Sequence, residues 1–325
     1  MRRNILLSTM LAVALFPTVV VAEPETEKIR RIGLLCQSNC ASSLYNAFRQ
    51  GLRDHGYIAG RNILIEERSM ENRYERLPDL VADLIRLKLE AIVVGGSVEL
   101  PQAVKNATKT IPIVFVIADD PVRAGLVTSF ARPGENITGF TGISTELDGK
   151  RLELLQEIMP RVNRVATLFN PIDSAAAVKW QMMDTTARSL GIQLRRLDIR
   201  GPDDLTAQIG TAANGRVEAL LVPAFPFFPF IPRIADVAAK KKLPTVSPWS
   251  QLTEAGGIMS YGEDVLKMFR RAATYVDKIL KGAKPGELPV EPPMRVEFII
   301  NLKAAKEIGL RIPPEMLIRA DRVIN

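Results

Sequence analysis

Two adjacent carboxylates, Asp119 and Asp120, follow the apolar run Ile111–Ile117 and precede Pro121. A continuous run rich in β-branched residues is the pattern of a parallel strand covered on both faces, and ligands of open parallel sheets bind beyond the carboxyl ends of such strands. The pair therefore reads either as a ligand contact or as a turn-forming aspartate with a cap. As an acid/base couple it is weak, because successive side chains on a strand end point apart. Other reactive residue types are sparse. Cys36 and Cys40 lie four apart, close enough for a local disulfide if the backbone brings their Cα atoms within about 7 Å, and otherwise two packed thiols. His55, the single histidine, sits in Arg53-Asp54-His55-Gly56, a helix end before a glycine cap. Triad chemistry thus lacks its usual base, and no His/Cys/carboxylate cluster has metal-ligand spacing. Gly95-Gly96-Ser97 lacks the G-x-G-x-x-G spacing that admits a pyrophosphate, and no phosphate-binding G-x-x-x-x-G-K-[ST] is present. No catalytic residue, metal or cofactor is expected.

The N-terminus predicts where the protein works. Arg2 and Arg3 precede an apolar stretch from Ile5 to Val21, and Val20-Val21-Ala22 places small residues before Glu23. That is the pattern of a secretory signal peptide over residues 1–22, cleaved after Ala22, and no cysteine beside the cleavage point suggests a lipoprotein. The periplasm is the expected compartment. The two leader arginines supply part of a formal net charge of +7 over 325 residues, and the remaining basic residues are scattered apart from Lys240–Lys242 at a helix end. Nucleic acid is not an expected partner.

Residues 23–325 are enough for two domains, each with its own core. Strand-like and helical runs alternate: strands at Arg31–Leu35, Asn62–Glu66, Ala91–Val94 and Ile111–Ile117, with helices at Leu44–Arg53, Arg76–Lys88 and Glu99–Thr108 between them. The pattern restarts with a helix at Glu146–Met159. Strands then fall at Val165–Phe169, Ile192–Leu197, Ala219–Val222 and Pro244–Val246, with helices at Ala175–Leu190, Asp203–Ala213 and Pro232–Lys241. A short strand at Gly257–Met259, a long amphipathic helix at Asp264–Lys281, a proline-rich connector and a strand and helix at Val296–Ile308 close the chain. Repeated β-α-β predicts an α/β protein of two doubly wound parallel sheets, with a ligand held between them.

Four stretches carry a family resemblance: LPDLVADLIRLKLEAIVV, TKTIPIVFVIADDPVRAGLVTSFARPGENITG, EAGGIMSYG and FRRAATYVDKILKGAKPGELPVEPPMRVEFIINLKAAKEIGLRIPPEMLIRAD. They resemble ABC-transporter substrate-binding proteins related to tryptophan- and tyrosine-binding proteins. The resemblance implies a type I periplasmic-binding fold, with two lobes joined by three crossing segments near Gly142, Gly262 and Pro293 and closing on a small ligand. The first lobe would take residues 23–142 and 262–292, the second 143–261 and 293–325. It also implies a monomer that delivers its solute to an ABC permease in the inner membrane and needs no catalytic residues. Ligand contacts are expected from Ser38 in the loop after the first strand and from Ser97 at the third. Asp120 matches the Asp of the family's Asp-Pro-Val turn, with Asp119 beside it. Asn170 matches an Asn-Pro after the second lobe's first strand, and Tyr261 the Ser-Tyr-Gly at a lobe crossing. Asn170 and Ser97 can equally be helix caps, and Tyr261 interlobe packing.

Departures from the family bear on the ligand. Pro223-Ala224-Phe225 stands where tryptophan-binding relatives carry an acidic and an amide residue suited to an ammonium group, and Ala175–Ala177 replaces frequent polar side chains. Phe225, Phe227, Phe228 and Phe230 can line an aromatic pocket or pack a helix start. The expected ligand is an amino acid or an aromatic compound. A periplasmic ligand sensor acting through a membrane receptor is the alternative on the same fold. A repressor of this architecture would need a DNA-binding segment where the leader stands, and an enzyme would need a catalytic constellation.

Overall fold

The computed structural model describes residues 29–143, 146–171, 176–224 and 227–325, without the side chains of 117–119 and Pro202. The expected leader and Phe225 lie outside the described residues. The first sheet is built from β1 (Arg30–Cys36), β2 (Ile63–Ser69), β3 (Ala91–Gly95), β4 (Ile113–Asp119) and β5 (Ile137–Gly142), in the parallel order β2-β1-β3-β4-β5. Helices α1 (Ser43–Asp54), α2 (Leu77–Ile85) and α3 (Glu99–Ala107) make the first three crossovers. Every residue of β3, Ala-Ile-Val-Val-Gly, is buried, as a central strand covered on both faces requires.

Strand β4 begins two residues later than the apolar run predicts and ends on Asp119 itself, with an irregularity between Val116 and Ala118. Pro112 lacks an N–H and only its carbonyl joins the ladder, accepting from Ile92 at 2.8 Å. β2 extends beyond the expected Glu66 to Ser69, and β5 was not expected from the sequence.

The second sheet is larger. It contains β6 (Arg164–Phe169), β7 (Gln193–Asp198), β8 (Ala219–Leu221), β9 (Thr245–Ser247), β10 (Met259–Glu263), β11 (Val296–Asn301) and β12 (Arg322–Ile324) in the order β12-β11-β10-β9-β8-β6-β7. β10 and β11 run antiparallel and the other described pairs parallel. Around it lie α4 (Asp148–Ile158), α5 (Ala176–Ser189), α6 (Pro202–Asn214), α7 (Ile231–Lys240) and the short α8 (Ser250–Glu254). Helix α9 (Val265–Leu280) leaves this sheet, while α10 (Leu302–Glu307) and α11 (Pro314–Arg319) return to it.

Helix α9 follows the second sheet in sequence yet packs on α1 of the first. Tyr45 meets Phe269 edge to face with centroids 5.2 Å apart, and Arg270 pairs with Asp54 at 2.7 Å. His55, at the helix end the sequence predicts, is hydrogen-bonded to Thr274 at 3.0 Å. The Tyr57 hydroxyl donates to Asp277 at 3.0 Å; burial first, then that carboxylate, pushes it up to about 12. The chain therefore crosses between sheets three times: between Gly142 and Asp148, at Asp264, and between Glu291 and Val296, after Glu291 has bridged to Phe140 of β5. This is the type I arrangement of two α/β lobes that the resemblance implied. Among the described residues, no helix is long and apolar enough to cross a membrane.

Candidate functional site between the lobes

Parallel strands bring all their carboxyl-end loops to one edge, so two such sheets can face each other loop to loop. A cavity of about 180 Å³ lies there. One wall is Glu71, Asn72, Arg73 and Tyr74, from the loop after β2. The other is Asn170 after β6, Ile199, Arg200 and Gly201 after β7, and Phe227 and Phe230 after β8. Two further cavities draw on other surfaces. One of about 450 Å³ lies between α4 and α5 of the second lobe alone, and one of about 280 Å³ lies where crossing residues Asp264 and Pro292–Arg295 meet α9. Of these three, the first is lined by strand-end loops of both sheets.

The residues expected from sequence divide. Asn170, 8 % exposed, lines the cavity. Ser97 is one contact behind it: its hydroxyl lies 3.2 Å from that of Tyr74, and the Gln37 amide donates to the Tyr74 hydroxyl at 3.3 Å. Gln37 Oε1 also accepts from the Ser97 N–H at 2.9 Å, so this helix-start donor is already occupied. The close approach requires Gly96, with φ of +135°, because a Cβ there would stand 2.4 Å from Gln37 Oε1. Tyr45 braces the base of this network, donating to the Gly95 carbonyl at 3.0 Å and accepting from Gln37 N–H at 3.3 Å, with burial raising its hydroxyl above the ordinary tyrosine range. Cys36 and Cys40 are joined as a disulfide across the loop that carries Gln37 and Ser38.

Ser38 is half-buried, and its carbonyl accepts from the Ser69 hydroxyl. Asp120 follows the turn reading: its carboxylate accepts from Arg123 N–H at 3.0 Å and pairs with the Arg123 guanidinium at 3.1 Å. Asp119 closes β4 opposite Gly142. Tyr261 lies inside β10, its ring edge-on to Phe298 with centroids 6.1 Å apart, and the chain crosses later, at Asp264. The phenylalanines also part company. Phe228 packs edge-on against Trp249 at 5.2 Å, whereas Phe227 and Phe230 reach the cavity.

Sequence reasoning missed Asn72, Tyr74 and Arg200. The signal was positional: Asn72 and Tyr74 follow a strand whose end was placed three residues early, and Arg200 directly follows the strand β7 and its neighbour Ile199. Glu71 is held by Arg73 at 2.9 Å and by Arg76 at 2.8 Å. Among the described residues, no group of three or more His, Cys, Asp or Glu side chains is placed to hold a metal.

Two α/β lobes with a cavity between their strand-end loops define a solute receptor of the type I periplasmic-binding fold. The chain belongs to the ABC transporter substrate binding protein family, whose model matches residues 31–324. It is 25 % identical over 290 residues to a tyrosine-binding protein of Clostridioides difficile, an alignment spanning 88 % of this chain and 83 % of that one. A conserved domain protein of Vibrio cholerae of known structure is 26 % identical, with a TM-score of 0.80 over 91 % of this chain and 100 % of that one. An ABC domain from Streptococcus pneumoniae, solved in complex with L-Trp, is 22 % identical with a TM-score of 0.79, covering 91 % of this chain and 99 % of the other.

Proposed function

We propose that this protein is the periplasmic receptor of an ABC importer, capturing one small solute between its lobes and presenting the closed form to a membrane permease without catalysing a reaction on it. The observation that carries this reading is the cavity whose walls come from loops of both sheets. A ligand touching both walls interacts more strongly with the closed arrangement, and that differential affinity drives closure. The moving bodies are residues 29–142 with 264–292 and residues 143–263 with 293–325. This shifts the second boundary from the sequence reading because β10 pairs through Glu263 within the second sheet.

The test is a thermal-shift screen of the protein lacking residues 1–22 against amino acids and aromatic acids, followed by small-angle scattering with the best ligand. A smaller radius of gyration at saturation is expected; an unchanged one would leave a rigid receptor. Pull-down of the ligand-bound form with its permease separates import from sensing through a membrane receptor.

Export is the second element of the proposal, supported by the Arg2-Arg3 start and the Val-Val-Ala ending. Mass spectrometry of the periplasmic protein should find Glu23 as the first residue. Recovery of intact Met1 in the cytoplasm would exclude it.

A further inference from the structure

The electrostatics of the cavity narrow the solute class, on the assumption that the cavity is the solute site just proposed. Its described charged lining residues are Glu71, Arg73 and Arg200. Glu71 is already neutralised by Arg73 and Arg76. The Arg200 guanidinium, by contrast, has no hydrogen-bond or ion-pair partner among the described residues; only its backbone N–H is engaged, donating to Asp204 at 2.8 Å. An arginine fork is suited to bidentate recognition of a carboxylate.

A second polar group awaits a partner. Asn72 Oδ1 is buried and has no donor to it among the described residues. The loop holds it there in an unfavourable backbone conformation, with φ of 55° at Glu71 and 58° at Asn72, while the Asn72 N–H is tied to the Gln37 carbonyl at 2.8 Å. Strained non-glycine residues of this kind cluster at binding sites, and a buried orphan acceptor is costly until a donor arrives. That donor should be neutral. An ammonium group entering the cavity would lose its hydration and find, among the described lining residues, one acidic side chain, Glu71, whose carboxylate is already shared by two guanidinium groups. Tyr74, Phe227 and Phe230 supply aromatic surface, and a cavity of about 180 Å³ suits a single-ring solute.

We infer that the cleft takes a single-ring aromatic carboxylate bearing a neutral hydroxyl, its carboxylate on Arg200 and its hydroxyl donating to Asn72 Oδ1, in preference to the corresponding zwitterionic amino acid. Four probes separate the elements by titration calorimetry: para-hydroxyphenylpropanoate, phenylpropanoate, L-tyrosine and tyramine. The first should bind about tenfold or more tighter than L-tyrosine, which shares its ring, hydroxyl and carboxylate and adds an ammonium. Tyramine, without a carboxylate, should not bind. Arg200→Gln should weaken the first probe by at least about tenfold with an unchanged melting temperature. Asn72→Gly keeps the left-handed backbone and removes the amide, so it should abolish the preference for the hydroxylated acid over phenylpropanoate. Tighter binding of L-tyrosine than of its deaminated analogue, or Arg200→Gln with unchanged affinity, would overturn the inference. Failure of all four probes while another solute closes the lobes would overturn it and leave the receptor reading intact; failure of every solute to close the lobes would remove both.

Discussion

Replacing Arg151 by methionine is expected to destabilise the protein by about 3–5 kcal/mol, the usual result of removing one partner of a buried ion pair. The side chain is 0 % exposed, and its Nη1 meets Asp148 Oδ1, itself 5 % exposed, at 2.5 Å. Its Nε donates to the Tyr261 carbonyl of β10 at 2.7 Å. Arg151 thus fastens the start of α4, just after the first lobe crossing, to the strand that leads into the second. Methionine fills a similar volume but leaves the Asp148 carboxylate buried without this cation. Denaturant unfolding measures the loss. The double variant Asp148→Leu/Arg151→Met should lose less than the sum of the two single variants, because no lone charge then remains inside. A loss below about 1 kcal/mol for Arg151→Met would mean that water solvates the pair and that the fastening is not energetic.

The second large effect has the opposite sign from the one local helix preference dictates. Gly51 lies inside α1, where alanine would ordinarily gain about 1 kcal/mol. Here a Cβ would stand 2.1 Å from the backbone carbonyl of Arg270 and 2.8 Å from the Ala273 methyl, so α1 and α9 must separate. Overpacking of this kind costs about 1–3 kcal/mol, and more where the obstacle is backbone. Gly51→Ala should therefore destabilise by about 1–3 kcal/mol, and Gly51→Val by more, both read from thermal or denaturant melts. Stabilisation by Gly51→Ala would show that the two helices yield freely at this crossing.

The alternating strand and helix patterns were sufficient to predict the architecture. β3 is a five-residue buried run between helices with clear apolar faces, and such a pattern has one compact solution, a covered parallel strand. The C-terminal block likewise carried the family assignment, which the match over residues 31–324 supports. Strand ends were less legible. β2 runs on through Glu67 and Arg68 because an outer strand beside a single neighbour tolerates charged side chains, and that extension hid Asn72 and Tyr74 behind an apparent loop. The disulfide was open in the sequence because it depends on a Cα separation, 5.5 Å here, that only the folded loop sets.

Sequence by itself determined the two-lobed α/β class and the family, since periodicity and motif spacing are local properties of the chain. Only the tertiary structure decided which polar groups remain for a ligand. Asp120 and Ser97 looked available as residue types, yet Arg123 holds the Asp120 carboxylate and Gln37 Oε1 takes the Ser97 N–H. Asn72 and Arg200 looked ordinary, yet they lie on facing walls of one cavity with an acceptor and a cation to offer. Availability is a property of the partners a group finds, and Gln37 and Ser97, 60 apart in the chain, become partners only because the neighbouring strands β1 and β3 bring their carboxyl ends together.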